Sequence, residues 1–74
     1  MAIQNLAGGA TGNSGALTAD TMFAVESGKV DLSTDAGTTY VAFDAGEKVI
    51  VPSGRTVHWR NGMPTPAILK YMDF

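Results

Sequence analysis

The chain has 74 residues, a formal net charge of −2 and no cysteine. This length predicts a single domain close to the lower limit for independent folding, and the lack of cysteine excludes disulfides and thiolate metal sites. The acidic balance gives no basic face for nucleic acid, and no stretch approaches the roughly 20 apolar residues of a membrane-spanning helix. Because domains of this size usually need an additional constraint, we expect the chain to associate with copies of itself or with a larger assembly.

The first 19 residues, MAIQNLAGGATGNSGALTA, carry no charged side chain and hold four of the nine glycines. Apolar residues are too sparse there for a helical face, and glycine disfavours a helix. Such a segment is flexible when free, and its backbone can pair with another protein. We predict a flexible or partner-bound N-terminal arm over residues 1–19, with Ile3, Leu6 and Leu17 as interface anchors; a disordered terminus is the alternative. The segment lacks the basic and apolar regions of a signal peptide.

From residue 20 onward the sequence is typical of one β domain. Six short runs are rich in β-branched and aromatic residues and are separated by turn residues: TMFAVE, KVDLS, TYVAFD, EKVIVP, RTVHWRN and AILKYMDF. Turn signals at intervals of about 8–12 residues indicate an antiparallel sandwich or barrel. The predicted fold class is therefore all-β: a small antiparallel barrel or sandwich of about six short strands over residues 20–74, with an extended N-terminal arm.

Alternation along these runs predicts which side chains face the core. Three pairs share an inward face: Val30 with Leu32, Val49 with Val51, and Val57 with Trp59. The last run is apolar on both faces, because Leu69 and Tyr71 alternate with Ile68 and Met72. A strand of this kind lies at the centre of a sheet or beneath a partner, so Ile68 and Met72 are candidate interface residues.

The stretch GEKVIVPSGRTVHWRN, residues 46–61, contains the chain's only histidine and its only tryptophan. It resembles the second conserved motif of cupins, which has the form G-x5-P-x-G-x2-H-x3-N. Gly46, Pro52 and Gly54 match in spacing, and Asn61 lies at the matching distance from Gly54, whereas His58 is displaced by one position. The resemblance implies a strand–turn–strand of a cupin or jelly-roll barrel, with Gly54 at a positive φ in the turn.

The displaced histidine bears on metal binding. In a strand, a shift of one residue moves a side chain to the opposite face, so His58 points away from the barrel interior where the cupin histidine binds metal. The first cupin motif, which supplies two histidines and a glutamate, is missing. We predict no metal and no cofactor, and we place His58 and Arg60 on an outward face as candidate interface residues. Trp59 is either a core residue beside Val57, which we favour, or an interface anchor.

Catalytic motifs are missing as well, so we predict that the protein is not an enzyme. The serines have one possible histidine base and no nucleophile-elbow sequence. The stretch DLSTDAGTTYVAFD is not an EF-hand loop, although Asp31, Asp35 and Asp44 offer a weak calcium site. The glycine-rich AGGATGNSG lacks the lysine of a phosphate-binding loop.

Three functions fit these features. The short uncharged arm and two-sided strands resemble the organisation of small virion components of tailed bacteriophages, above all capsid decoration (cement) proteins. That resemblance implies a structural homo-oligomer, with a trimer as our expectation, attached to a major capsid protein. Its location would be the virion after synthesis in the host cytoplasm, and otherwise the cytoplasm. The alternatives are a cupin-like module that binds a small molecule or carbohydrate near His58, Trp59 and Tyr40, and a β module of a phage tail or adaptor.

Overall fold

A computed structural model describes all 74 residues, which form eight β-strands and no helix. The strands are β1 (Ala2–Leu6), β2 (Thr11–Ala16), β3 (Thr21–Ser27), β4 (Lys29–Ser33), β5 (Val41–Asp44), β6 (Lys48–Val51), β7 (Thr56–Arg60) and β8 (Ala67–Asp73). The six runs predicted from the sequence form β3 to β8, which confirms the all-β antiparallel fold class. The structure offers no helix with the length and hydropathy needed to cross a membrane.

The strands form two four-stranded antiparallel sheets. Sheet I has the order β1-β8-β3-β6, and sheet II has the order β2-β7-β4-β5. The chain folds back on itself at the β4–β5 loop and forms a two-stranded antiparallel ribbon. Along this ribbon the paired strands are β1 with β8, β2 with β7, β3 with β6, and β4 with β5. Winding such a ribbon into two facing sheets produces an eight-stranded jelly roll.

The N-terminal segment differs from the expected arm. Residues 1–19 contribute β1, which pairs with β8 from Ala2 to Leu6, and β2, which pairs with β7. Without β1, the two-sided apolar strand β8 would be an exposed sheet edge. Small uncharged residues suffice for both strands because the ladder hydrogen bonds come from the backbone. In this structure the segment is part of the domain, and the strand count is eight rather than about six; any contact with a partner stays a prediction.

The core lies between the sheets and contains ten buried apolar residues. Sheet I contributes Leu6, Phe23, Val25, Val51, Ala67 and Leu69. Sheet II contributes Val30, Leu32, Val57 and Trp59. The inward faces predicted for β4 and β7 are confirmed, and on β6 Val49 packs against the core beside buried Val51. Trp59 is only 4% exposed and its ring lies 5.8 Å from that of Tyr71, so it is a core residue.

The backbone on either side of β6 has the conformation expected from its proline and glycines, although the β6–β7 connection crosses from sheet I to sheet II and the two strands do not pair as a hairpin. Gly46 has a φ of 93° and Gly54 a φ of 88°, values that glycine adopts at little cost. The positive φ predicted at Gly54 is thereby confirmed. Exposed Pro52 follows β6 at the point where its pairing ends, as its missing N–H requires.

Asn61, directly after β7, ties two loops together. Its side chain is buried, and Nδ2 donates to the carbonyl oxygens of Leu6, Ala7 and Thr65. Its Oδ1 accepts from the amide N–H of Met63 at 3.0 Å. The residue at the asparagine position of the cupin-like motif therefore holds the β1–β2 turn against the β7–β8 loop.

Candidate functional site

A cavity of about 250 Å³ opens between the two sheets, at the side of the sandwich formed by the edge strands β5 and β6. Six apolar side chains from four strands form most of its wall: Leu32, Val41, Phe43, Val49, Val51 and Val57. Three polar residues following β4 complete the lining: Thr34, Asp35 and Thr39. An apolar wall with a few polar groups is typical of sites that bind small molecules.

The cavity follows from the topology of the ribbon. Strands β5 and β6 are consecutive in the chain but belong to different sheets, so no backbone ladder closes the sandwich between them. Val41 at the opening is 56% exposed, whereas Val51 and Val57 are buried. The sandwich is therefore filled at its centre and open along this edge.

The β4–β5 loop fixes the Asp35 carboxylate at the cavity. The Ser33 hydroxyl donates to Asp35 Oδ1 at 2.6 Å, and the Thr39 amide N–H donates to the same oxygen at 2.8 Å. Ser33 is itself buried, and its Oγ accepts from the Gly37 amide N–H at 3.0 Å. Hydrogen bonds favour the charged form of a carboxylate, so the Ser33 hydroxyl, followed by the Thr39 amide, holds the pKa of Asp35 below its ordinary value.

The same loop contains the chain's one non-glycine residue with a positive φ. Ala36 has a φ of 61° and is followed by Gly37 with a φ of 82°. A left-handed conformation costs a residue with a Cβ about 1–2 kcal/mol. Such strain persists where the surroundings over-determine the backbone, and it concentrates at ligand sites. In this loop the hydrogen bonds of Ser33 and Asp35 hold the backbone in the left-handed conformation.

The outer face of sheet II carries His58 and Arg60, as the alternation predicts. Arg60 Nε donates to Asp31 Oδ2 at 3.0 Å, and its guanidinium lies 3.9 Å from the centre of the Tyr40 ring. Since Trp59 lies in the core, these residues do not surround a common pocket. The cavity lies elsewhere, at the β5–β6 edge, and not near His58, Trp59 and Tyr40.

The residues present do not fit the metal site that a cupin-type fold implies. No three His, Cys, Asp or Glu side chains converge anywhere in the chain. His58 lies outside the sandwich, and Asp35 is the one ionisable residue in the cavity lining. Divalent metals need several nitrogen, oxygen or sulfur ligands. What this cavity offers is apolar contact, hydrogen bonding and one negative charge.

A second surface feature is an apolar row on the outer face of sheet I. Met72 lies opposite Met22, and Met22 lies opposite Ile50, so these side chains run across β8, β3 and β6. Ile3 and Ile68 share this face, and Ile3 and Ile50 are 55% and 49% exposed. We call these five residues the outer apolar face.

The predicted interface residues fall in three places. Leu6 is buried and Leu17 packs against the core, so both attach the N-terminal segment to its own domain. Two lie on the outer face of sheet II: His58 and Arg60. Three belong to the outer apolar face: Ile3, Ile68 and Met72. An interface role for these five stays a prediction.

The polar end of the cavity is what sequence reasoning missed. The signal was the loop STDAGTT between two β runs, interpreted from the sequence as no more than a weak calcium site. Asp31 pairs with Arg60, and Asp35 lies at the cavity, so the carboxylates of this region do not form one site. Asp35 shares the cavity with side chains of β6 and β7. That neighbourhood depends on how distant strands pair, and the residue pattern of a single stretch of sequence does not show this.

No family model matches the sequence, and no curated protein matches it. Solved structures do match. The Cupin_2 domain of an XRE family transcriptional regulator from Enterobacter cloacae has a TM-score of 0.79 at 19% identity, with 90% of this chain and 70% of that chain covered. A conserved protein with a double-stranded β-helix domain from Klebsiella pneumoniae has a TM-score of 0.78 at 16% identity, with 95% and 69% covered.

CENP-C of Drosophila melanogaster, solved bound to CAL1, has a TM-score of 0.78 at 9% identity, with 95% of this chain and 57% of that chain covered. The chain thus spans between 57% and 70% of the length of these three structures. Such identities show the fold alone, and these matches give no support to a virion component. Together with the ribbon topology, they show that the chain has the double-stranded β-helix fold of cupin domains.

Proposed function

We propose that the protein is a non-enzymatic binding module that takes a small, largely apolar molecule into the inter-sheet cavity. The cavity itself supports this function, because apolar side chains from both sheets line a space that opens to solvent. A cavity of about 150 Å³ holds benzene, so the 250 Å³ here admits a single substituted ring or a short branched chain. Burying such a ligand removes apolar surface from water, which is the main driving force for binding.

Binding rather than catalysis suits the groups at the cavity. A nucleophile needs an adjacent base within hydrogen-bond reach, and the chain's one histidine lies on the other side of sheet II. The hydroxyl that contacts Asp35 belongs to Ser33, which is buried in the loop and donates to that carboxylate. These contacts orient the loop and leave no free nucleophile–base pair.

The experiment is a titration with a neutral aromatic probe, phenethyl alcohol, followed by NMR. We expect saturable shifts of the cavity methyl groups with a dissociation constant of the order of 1 mM. Val49→Phe fills part of the cavity and should weaken binding at least several-fold. Ile50→Phe is the matched control, because the neighbouring side chain points to the opposite face of β6.

Equal weakening by Val49→Phe and Ile50→Phe, or no saturable binding by the unmodified protein, would overturn this function. If Val49→Phe does not fold, Val41→Phe at the exposed opening replaces it, with the same expected loss of binding.

A second candidate function is self-association through the outer apolar face. We propose a second copy of this chain as the occupant. Two side chains of this face, Ile3 and Ile50, are about half exposed, and an interface between two copies would remove this apolar surface from water. The finer expectation of a trimer on a phage capsid rests on the resemblance in organisation alone.

Sedimentation tests this candidate. We expect a concentration-dependent oligomer that Met22→Lys dissociates, because a lysine at the centre of the outer apolar face would be desolvated. Thr11→Lys on the outer face of sheet II is the control and should leave association unchanged. A monomer at all concentrations would rule out the candidate, and an oligomer other than a trimer would exclude the decoration geometry expected from the sequence.

A further inference from the structure

We propose that the Asp35 carboxylate selects a positively charged group, so that the ligand of the inter-sheet cavity is a small amine with an apolar ring or chain. This inference rests on the proposed function and adds the chemical class of the ligand. It follows from the position of one fixed anion at the edge of an otherwise uncharged cavity.

The two oxygens of the Asp35 carboxylate have different surroundings. Both hydrogen bonds that fix Asp35 end on Oδ1, one from the Ser33 hydroxyl and one from the Thr39 amide. No hydrogen bond of the chain ends on Oδ2, although the Thr39 hydroxyl adds a weaker contact that also lowers the pKa of this carboxyl. The carboxylate is thus held in place with one oxygen free for a donor from a ligand.

No basic side chain of the protein neutralises Asp35. The two ion pairs of the chain join Arg60 to Asp31 and Lys70 to Glu26, so Asp35 has no cationic partner within the chain. No basic residue lines the cavity. A bound cation would therefore meet an unneutralised negative charge and no repelling positive one.

The cavity has a polar end and an apolar wall. Asp35, Thr34 and Thr39 are polar residues near one end of β5, whereas Val51 and Val57 lie in the buried wall between the sheets. A molecule with an apolar body and an amino group at one end can contact both regions at once. Its ammonium N–H would donate to Oδ2, a charge-assisted hydrogen bond that is stronger than one between neutral groups.

The test compares two probes of nearly equal size, phenethylamine as its ammonium form and phenethyl alcohol, at pH 7 and low salt. The unmodified protein should bind the amine about three- to fivefold more tightly than the alcohol, as is typical of an ion pair at an exposed position. Asp35→Asn keeps the Oδ1 acceptor of Ser33 and Thr39 and should abolish this preference, so that the two probes bind with equal affinity. Asp44→Asn removes the same charge at an exposed residue that does not line the cavity, and should keep the preference.

The possible results distinguish the role of Asp35 from the binding function of the cavity. Saturable binding of both probes with equal affinity would overturn the role of Asp35 and leave the apolar binding function standing. An amine preference that Asp44→Asn removes as fully as Asp35→Asn would also overturn it, because the effect would then be one of net charge. Failure of both probes to bind would contradict the proposed function itself.

Discussion

At the scale of single residues, Asn61 connects two loops through the hydrogen bonds of its buried side chain. Its buried amide group donates to three carbonyl oxygens, those of Leu6, Ala7 and Thr65. A buried carbonyl that loses its donor costs about 1–3 kcal/mol. One side chain therefore satisfies the backbone where the N-terminal strands meet the loop before β8.

We predict that Asn61→Asp lowers the free energy of unfolding by about 2–4 kcal/mol at pH 7, because a carboxylate would replace the donor among three oxygens. Chemical denaturation measures the loss. Asn13→Asp is the matched control, since the exposed Asn13 side chain accepts from the Gly15 amide and aspartate can do the same. Equal stability of the two variants would show that the hydrogen bonds of Asn61 do not contribute to the free energy of unfolding.

Ser33 stabilises the ionised form of the Asp35 carboxyl at the cavity. Its hydroxyl is the main cause of the lowered pKa of Asp35, and we predict that Ser33→Ala raises that pKa toward its ordinary value. Titration of the Asp35 carboxyl carbon by NMR measures the change. Thr34→Ala, which removes a hydroxyl that does not contact Asp35, should leave the midpoint in place. An unchanged midpoint in Ser33→Ala would assign the shift to another cause.

The lowered pKa also fixes the direction of a pH effect on stability. Because the folded-state pKa lies below the unfolded-state value, the ionised carboxylate stabilises the folded state above the unfolded-state pKa. This contribution is lost as the pH falls through the folded-state pKa. The contribution of the Ser33–Asp35 contact is thus present at neutral pH and disappears in acid.

At the scale of the elements, β1 and β2 show why glycine in a sequence is ambiguous. The glycines of residues 1–19 suggest flexibility, yet Gly12 lies on the Trp59 ring, and a Cβ there would be 2.5 Å from Nε1. A Cβ at Gly8 would be 2.5 Å from the carbonyl oxygen of Pro64. These glycines permit close packing within the domain, and a single sequence does not show which neighbour they approach.

Strands β3 to β8 were predictable because each carries its own signal. Val30 with Leu32 and Val57 with Trp59 alternate with polar residues, and alternation assigns their faces. The strands β1 and β2 carry no such signal, since most of their side chains are small or polar and their stability comes from pairing with β8 and β7. For the same reason the cavity was not predicted, because its wall combines four strands that only the pairing brings together.

A pair of substitutions on β1 tests whether this segment belongs to the domain. Leu6→Ala should lower the free energy of unfolding by about 2–4 kcal/mol, since it opens a cavity in the core. Ile3→Ala, on the exposed face of the same strand, should cost less than about 1 kcal/mol in the monomer. Thermal or chemical unfolding provides the comparison. If residues 1–19 were a detached arm in solution, both substitutions would leave the stability of the domain unchanged.

At the scale of the whole molecule, two sheets wound from one ribbon leave an opening at the β5–β6 edge and an uncovered apolar surface on sheet I. The cavity supports binding of a small molecule, and the outer apolar face supports association with a second copy. The two features lie on opposite sides of β6, as Val49 and Ile50 show. A surface ligand and a cavity ligand can therefore be told apart by the side chains that they contact.

The most direct measurement is of intermolecular nuclear Overhauser effects between phenethyl alcohol and the methyl groups of the protein. We predict that the phenyl protons contact Val51 of sheet I and Val57 of sheet II together, because the ring lies between the sheets. Contacts confined to Met22, Ile50 and Met72, or no contacts at saturating probe, would contradict binding in the inter-sheet cavity.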